Sequence, residues 1–284
     1  MWFRADGQVT VGALAKRSIN AYAGEPGHAI IASVKRQLGK NKNYRVAGQP
    51  KAAVEVAEEI FRFLKQDAED RASAKLRHGI VTIPVEFDGN ARHELRLAAE
   101  RAGIFIKTFI YEPFAAVVAY CVGNQSDCLE SFEGQNLLVF NWDGGTLDIT
   151  VMAIRSGQMT QLSTGHLGHR AGDHFDERLL RLTYDRFLEK ERLSVDQAPV
   201  RSTVKDRYLA ECERAKIALS ARAGDRVDLA SVLRVDGRVY DIEQQVTRTD
   251  FESEINNDVR DAMAQVDSVL GKANLMLVKL IVCS

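Results

Sequence analysis

Short apolar runs alternate along this chain with longer stretches in which apolar residues recur every three or four positions, the pattern of an α/β protein. The helical period is clearest over 51–72, where Ala57, Ile60, Phe61, Leu64 and Ala68 share one face. Residues 79–85 then read as a buried strand closed by Pro84. A helix over 90–102 stops at Gly103, where a residue without Cβ suits a left-handed C-terminal cap. A strand over 104–110 leads to Glu112 and Pro113. Proline in a first turn opens a helix whose body, 114–122, is apolar enough to predict deep burial. Residues 124–135 are polar and turn-rich and predict a loop.

Beyond that loop the period changes to two. An apolar run from Leu137 ends at Asn141, an Asp-Gly-Gly-Thr turn follows, and Leu147, Ile149 and Val151 alternate with polar neighbours, predicting a β-hairpin over 137–151. Helices are predicted over 173–189 and 203–220, with two strands within 226–242. A capping box at Thr249 and Glu252 opens a helix running to residue 270. The apolar run 275–282 reads as a core strand.

Composition narrows the class. The 284 residues are 45% hydrophobic and 27% charged, as in a soluble globular protein with one large domain or two lobes. With 38 Lys and Arg against 39 Asp and Glu, no strong global field invites nucleic acid or an anionic membrane. Cys121, Cys128, Cys212 and Cys283 form no Cys-x-x-Cys pair, which fits a reducing compartment. No signal peptide is visible at Met1, and the run 275–283, broken by Lys279, is too short to span a bilayer. The expected location is cytoplasmic.

The candidate chemistry centres on the hairpin tip. Gly144 and Gly145 let backbone N–H groups converge into a nest that holds phosphate oxygens. Thr146 adds a hydroxyl, and Asp148 a carboxylate able to hold Mg²⁺ through water. The same residues also describe an ordinary Gly-Gly hairpin. A second cluster, His166, His169, His174, Asp173 and Asp176, invites a zinc reading, but its spacing matches neither a zinc finger nor His-Glu-x-x-His. The chain carries no Gly-x-Gly-x-x-Gly, no Walker loop and no Gly-x-Ser-x-Gly elbow, so Rossmann dehydrogenases, P-loop enzymes and serine hydrolases lack their fingerprints.

Six segments in order carry a family resemblance: Val34-Lys-Arg-Gln-Leu-Gly39, Ile80-Val-Thr-Ile-Pro84, Tyr111-Glu-Pro-Phe-Ala-Ala116, Phe140-Asn-Trp-Asp-Gly-Gly-Thr-Leu-Asp148, Cys212-Glu-Arg-Ala-Lys-Ile-Ala-Leu-Ser220 and Val246-Thr-Arg-Thr-Asp-Phe251. Together they resemble the ATPase domain of heat-shock 70-kDa (DnaK-type) chaperones, over about residues 11–282. The resemblance implies an actin-like, ribonuclease-H-like two-lobed fold that binds ATP or ADP with Mg²⁺ in its cleft. It places a partial first lobe at 1–136 and a second at 137–284. By the same resemblance Lys35 approaches the transferred phosphate, and Glu112 holds metal-bound and attacking waters. Gly144, Gly145 and Thr146 form the phosphate loop, and Asp148 and Asn141 lie near Mg²⁺. Glu213, Lys216 and Ser220 clasp the adenosine, and Pro84 signals between domains. Spacing alone puts Glu213, Lys216 and Ser220 on one helix face, equally consistent with a solvated charged stripe. Lys35 in turn sits in a basic run with Arg36, Lys40 and Lys42.

Two departures oppose tight Mg²⁺–ATP binding. Asn141 stands where the family has a carboxylate, and Asp143 where it has glycine. The first phosphate loop, the loop over the adenine and the peptide-binding domain have no counterpart, so the fold is expected to be truncated at the N-terminal phosphate loop and the C-terminal adenosine loop. Open strand edges should then make the chain marginally soluble. The implied partners are co-chaperones and nucleotide-exchange factors, with unfolded clients reached only through the absent domain. The expected function is ATP binding and hydrolysis in chaperone-assisted folding, impaired by these departures. The alternative is an inactive relic or interaction module that keeps the fold.

Overall fold

Strand Thr146–Arg155 is buried at every position from Leu147 to Ile154, which requires cover on both faces. The cover is visible in the computed structural model, which describes residues 1–123, 128–275 and 280–283. Thr146–Arg155 lies in a four-stranded sheet, ordered Gln158–Gly168, Thr146–Arg155, Asn136–Trp142, Leu280–Cys283; the last joint is parallel and the others antiparallel. Alternation sends Leu138, Leu147, Ile149 and Val151 to one face, against Ala262, Val266 and Val269 of helix Arg248–Lys272. Leu137, Val139, Met152 and Ile154 face the other way, onto Val117 and Cys121 of helix Glu112–Gly123.

Three further units flank this sheet. Near the N-terminus, strands Trp2–Phe3, Val9–Thr10 and Ala29–Ile30 form a small antiparallel sheet. Phe3, Ile31, Val34 and Leu38 pack there on Val56 and Ala57 of helix Ala53–Ala72 and on Ala91 and Ala98 of helix Gly89–Arg101. Strands His78–Ile83 and Phe105–Tyr111 make a parallel pair. Toward the C-terminus, helices Gly172–Glu191 and Ser202–Ala221 pack around Tyr208 and Leu219 against the ribbon Gly224–Val235 and Arg238–Thr247. The whole is a mixed α/β fold with several sheets. Among the described residues, no helix is long and apolar enough to cross a membrane.

Several local expectations need correction. The helix cap is Thr247 with Asp250, not Thr249 with Glu252. Thr247 pairs with Gly224 at the end of the ladder, so the helix starts directly after it, and Asp250 Oδ2 accepts from the Thr247 N–H at 2.9 Å. Strand Gln158–Gly168 was not anticipated, because its polar Gln161, Ser163, Thr164 and His166 hide the alternation; the ladder to Thr146–Arg155 decides it. Within the expected loop 124–135, Cys128–Ser131 is a short helix, and 124–127 lie outside the described residues. Of the expected strand 275–282, Leu275 lies outside any strand, 280–282 fall in strand Leu280–Cys283, and 276–279 lie outside the described residues.

Burial was overestimated in two places. In helix Glu112–Gly123, Pro113, Val117 and Cys121 are buried, whereas Val118, Tyr120 and Val122 are exposed, Val122 at 76%. The strand His78–Ile83 buries Ile83 but leaves Ile80 60% exposed, opposite Thr108, while Phe105, opposite His78 on the partner strand, is 54% exposed. Exposed apolar side chains on a pair of strands favour association. Sedimentation of this chain is therefore expected to show concentration-dependent self-association, reduced by Ile80→Thr with Phe105→Thr. A clean monomer at all concentrations would count against it.

Candidate functional site

The hairpin pairs Trp142 with Leu147 and Asn141 with Asp148, leaving residues 143–146 to turn the corner. Asp143 closes that corner with its own side chain. Its Oδ1 accepts the N–H of Gly145 at 2.6 Å and the N–H of Thr146 at 2.7 Å. Two N–H groups converge on one oxygen, as a phosphate nest requires, and the oxygen belongs to the chain itself. The Thr146 hydroxyl donates to Asp148 Oδ2 at 2.8 Å.

The glycines of the tip sit in close packing. A Cβ on Gly145 would lie 2.8 Å from Cδ of Arg36, whose guanidinium reaches across to pair with Asp173. A Cβ on Gly172 would lie 3.2 Å from Cα of Gly144. The N–H groups of Gly172 and Asp173 donate to the carbonyls of Asp143 and Gly144 at 3.1 and 2.7 Å. These bonds tie the start of helix Gly172–Glu191 to the hairpin tip and use backbone donors that a helix N-terminus leaves free.

Lys35 is on the 3₁₀ turn Val34–Gln37, anchored by buried Val34. Its Nζ meets Oε1 of Glu112 at 2.5 Å. Glu112 opens its helix, where a carboxylate is favoured by the helix dipole. Across the site, Glu213 takes Lys16 at 2.6 Å, so a helix near the N-terminus is joined to helix Ser202–Ala221. Lys216 turns to Asp176 at 2.7 Å and to the Gly172 carbonyl at 2.9 Å, and Ser220 is exposed. Lys16, Lys35, Arg36, Gly145, Asp173 and Glu213 all line one cleft of about 880 Å³, within the size range of small-molecule and cofactor sites.

The three histidines do not converge. His174 turns to Arg178 and Asp258, His169 lines the cleft, and His166 reaches the rung just behind the hairpin corner. There its Nδ1 lies 2.8 Å from Asp148 Oδ1 and 3.5 Å from Glu86 Oε1. The hydrogen bond to Asp148 raises the His166 pKa, while desolvation and the neighbouring Asp148 charge raise that of Glu86. Glu86 is delivered by the turn in which the Phe87 N–H donates to the carbonyl of buried Pro84 at 3.3 Å. Sequence reasoning missed Arg36, Glu86 and the pairing of His166. Arg36 at least adjoined a flagged lysine, whereas Glu86 carried no signal.

Burial pushes the Asp176 carboxyl up to about 6, against the pull of Lys216. The ordinary carboxyl value is ~3.9, so the protonated form favours the folded chain. That contribution is complete below about pH 4 and is lost as pH rises through about 6, at roughly 1.4 kcal/mol per unit of difference. Denaturant unfolding from pH 4 to 7 should show the wild type losing stability relative to Asp176→Asn as pH rises. Parallel curves would refute the assignment.

A mixed α/β chain that brings a glycine hairpin tip, a lysine–glutamate pair and a lysine-bearing helix around one cleft has the layout of a protein that receives an anionic ligand. The chain belongs to the Hsp70 family, whose model, described as "Hsp70 protein", matches residues 5–281. It is 30% identical over 273 residues to the chaperone protein DnaK of Thermoplasma acidophilum, covering 96% of this chain and 42% of that one. It is 27% identical over 274 residues to the DnaK of Thermotoga neapolitana, covering 96% and 44%. For the DnaK of Mycoplasma mobile the figures are 26% over 267 residues, 94% and 42%. The chain thus spans less than half the length of these curated relatives.

Proposed function

We propose that this chain is the nucleotide-binding part of a heat-shock 70-kDa-type chaperone, acting in the cytoplasm with co-chaperones and exchange factors, and that its phosphate loop is self-occupied. The reading takes the fold as actin-like, with lobes at 1–136 and 137–284 and the nucleotide between them. One observation carries it: Lys35, Gly145 and Glu213, from three distant segments, line a single nucleotide-sized cleft.

The residues fit the ligand in part. Glu213 stands at the cleft wall for the adenosine, with Lys216 and Ser220 further along the same helix, and Lys35 and Glu112 are already paired beside the hairpin. Bound Mg²⁺–ATP supplies the γ-phosphoryl group and the cation that offsets its charge. Asp148 and Asn141 stand behind the tip as its water-mediated metal contacts, Asn141 without a charge. Lys35 provides a fixed positive charge for the phosphate, and Glu112 holds Lys35 and orients water. Pro84 is the candidate relay to a further domain.

The N–H groups of Gly145 and Thr146 do not fit an incoming phosphate as they stand, because Asp143 holds both. Weak Mg²⁺–ATP binding and slow turnover follow. Calorimetry and single-turnover hydrolysis on the chain and on Asp143→Gly with Asn141→Asp form the test. Gain of binding in the double variant supports the reading, and micromolar binding with turnover by the unmodified chain overturns the impairment. No binding in either form favours the second reading, an interaction module that keeps the fold. The same self-satisfied contacts of Asp143, Lys35 and Lys216 motivate that reading.

A further inference from the structure

One rung behind the hairpin corner, three potential ligands come together from three elements. Asp148 and His166 are direct cross-strand partners, so the ladder itself holds their side chains side by side. Glu86 arrives from the turn after strand His78–Ile83. One ligand atom from each lies within 4.8 Å of the other two. Asp148 is only 9% exposed, and its Oδ2 is already turned to Thr146, leaving Oδ1 aimed at His166.

The charge here is unbalanced. Among the described residues, the ion-pair partner of both carboxylates is the same imidazole, with no lysine or arginine on either. Two carboxylates beside one ring, one of them largely buried, call for a shared proton or a cation. We propose that Glu86, Asp148 and His166 bind a divalent transition cation of the Zn²⁺ class, with a fourth position open to water.

The donor set selects that class. An imidazole with two carboxylates suits a borderline metal, whereas Mg²⁺ and Ca²⁺ favour all-oxygen shells. Zinc ligands lie at about 2.0–2.2 Å from the metal, so tetrahedral neighbours stand roughly 3.3–3.5 Å apart. The His166–Glu86 separation of 3.5 Å already matches, and the His166–Asp148 separation of 2.8 Å must open by about half an ångström as the cation replaces the hydrogen bond. Ligands carried on a ladder and on a proline-initiated turn need little reorganisation. Asp148 is shared with the water-mediated Mg²⁺ position proposed above, so the site is assigned to the nucleotide-free chain and does not rest on nucleotide binding.

The experiment titrates the nucleotide-free chain with Co²⁺, followed by visible absorption, and with Zn²⁺, followed by calorimetry and thermal melting. The expected result is one saturable site, a rise in melting temperature, and a Co²⁺ spectrum displaced by Zn²⁺ but not by millimolar Mg²⁺. His166→Gln and Glu86→Gln should each weaken binding by on the order of 100-fold, given that loss of a mere supporting contact costs about 10- to 100-fold. His169→Gln and His174→Gln should leave it unchanged. Glu86 is exposed, so its variant is expected to fold even where the His166 variant does not. Absence of a saturable signal in the unmodified chain, or a signal that survives in either ligand variant, overturns the site.

Discussion

Asp143→Gly is expected to tighten Mg²⁺–ATP binding by about 30- to 100-fold and, in the same protein, to lower the stability of the unliganded fold. The wild-type carboxylate accepts two backbone N–H groups, at 2.6 and 2.7 Å, that a phosphate oxygen would otherwise take. Hydrogen bonds to charged groups are worth about 1.5–3 kcal/mol each, reduced here because the tip is exposed. Their release, with removal of a negative charge beside an anionic ligand, leaves about 2–3 kcal/mol, which is the stated affinity gain. On the other side, the variant loses its internal turn and gains a flexible residue, costing about 1 kcal/mol of unfolding free energy. Calorimetric titration and denaturant melts measure both quantities. A variant that loses stability and gains no affinity would sink the reading of the nest as a phosphate site.

Gly39→Ala is expected to destabilise the chain by about 2–5 kcal/mol. Gly39 has φ +77°, and an added Cβ would lie 2.7 Å from the backbone nitrogen of Ala91. A left-handed non-glycine residue costs about 1–2 kcal/mol, and a clash against backbone adds about 1–3 kcal/mol, because the start of a packed helix cannot step aside. Gly48→Ala is the control: φ is +80°, with nothing within 4 Å, so only the conformational part should appear. The turn before Gly39 carries Lys35, so Gly39→Ala should also weaken the hold of Lys35 on Glu112. Equal melting shifts for the two variants would show that the contact with Ala91 costs nothing.

How far these sites could be read beforehand differs by residue. The hairpin was visible because its signal is local: alternation, two glycines and a hydroxyl within a few positions. Lys35 and Glu112 were picked out by resemblance, and their 2.5 Å contact spans 77 positions of sequence. Asp143 was flagged as a misplaced charge. That its oxygen occupies the nest follows from turn geometry, which composition does not reveal. The deep burial expected of helix Glu112–Gly123 failed for a simple reason. An apolar helix buries only the face that meets a sheet, and composition does not count the available faces.

Residue order alone determined the alternation of strands and helices, the glycine stop at Gly103 and the hairpin corner, because each depends on chain stereochemistry within one turn or one pleat. Only the tertiary structure decided which side chains share a space. Arg36 lies over Gly145 because the 3₁₀ turn and the hairpin tip are both held against Asp173. Glu86 meets Asp148 and His166 because a turn from one sheet ends over the ladder of another. Such meetings are set by how separate cores pack, and that packing is spread over many weak contacts with no short stretch of sequence to record it.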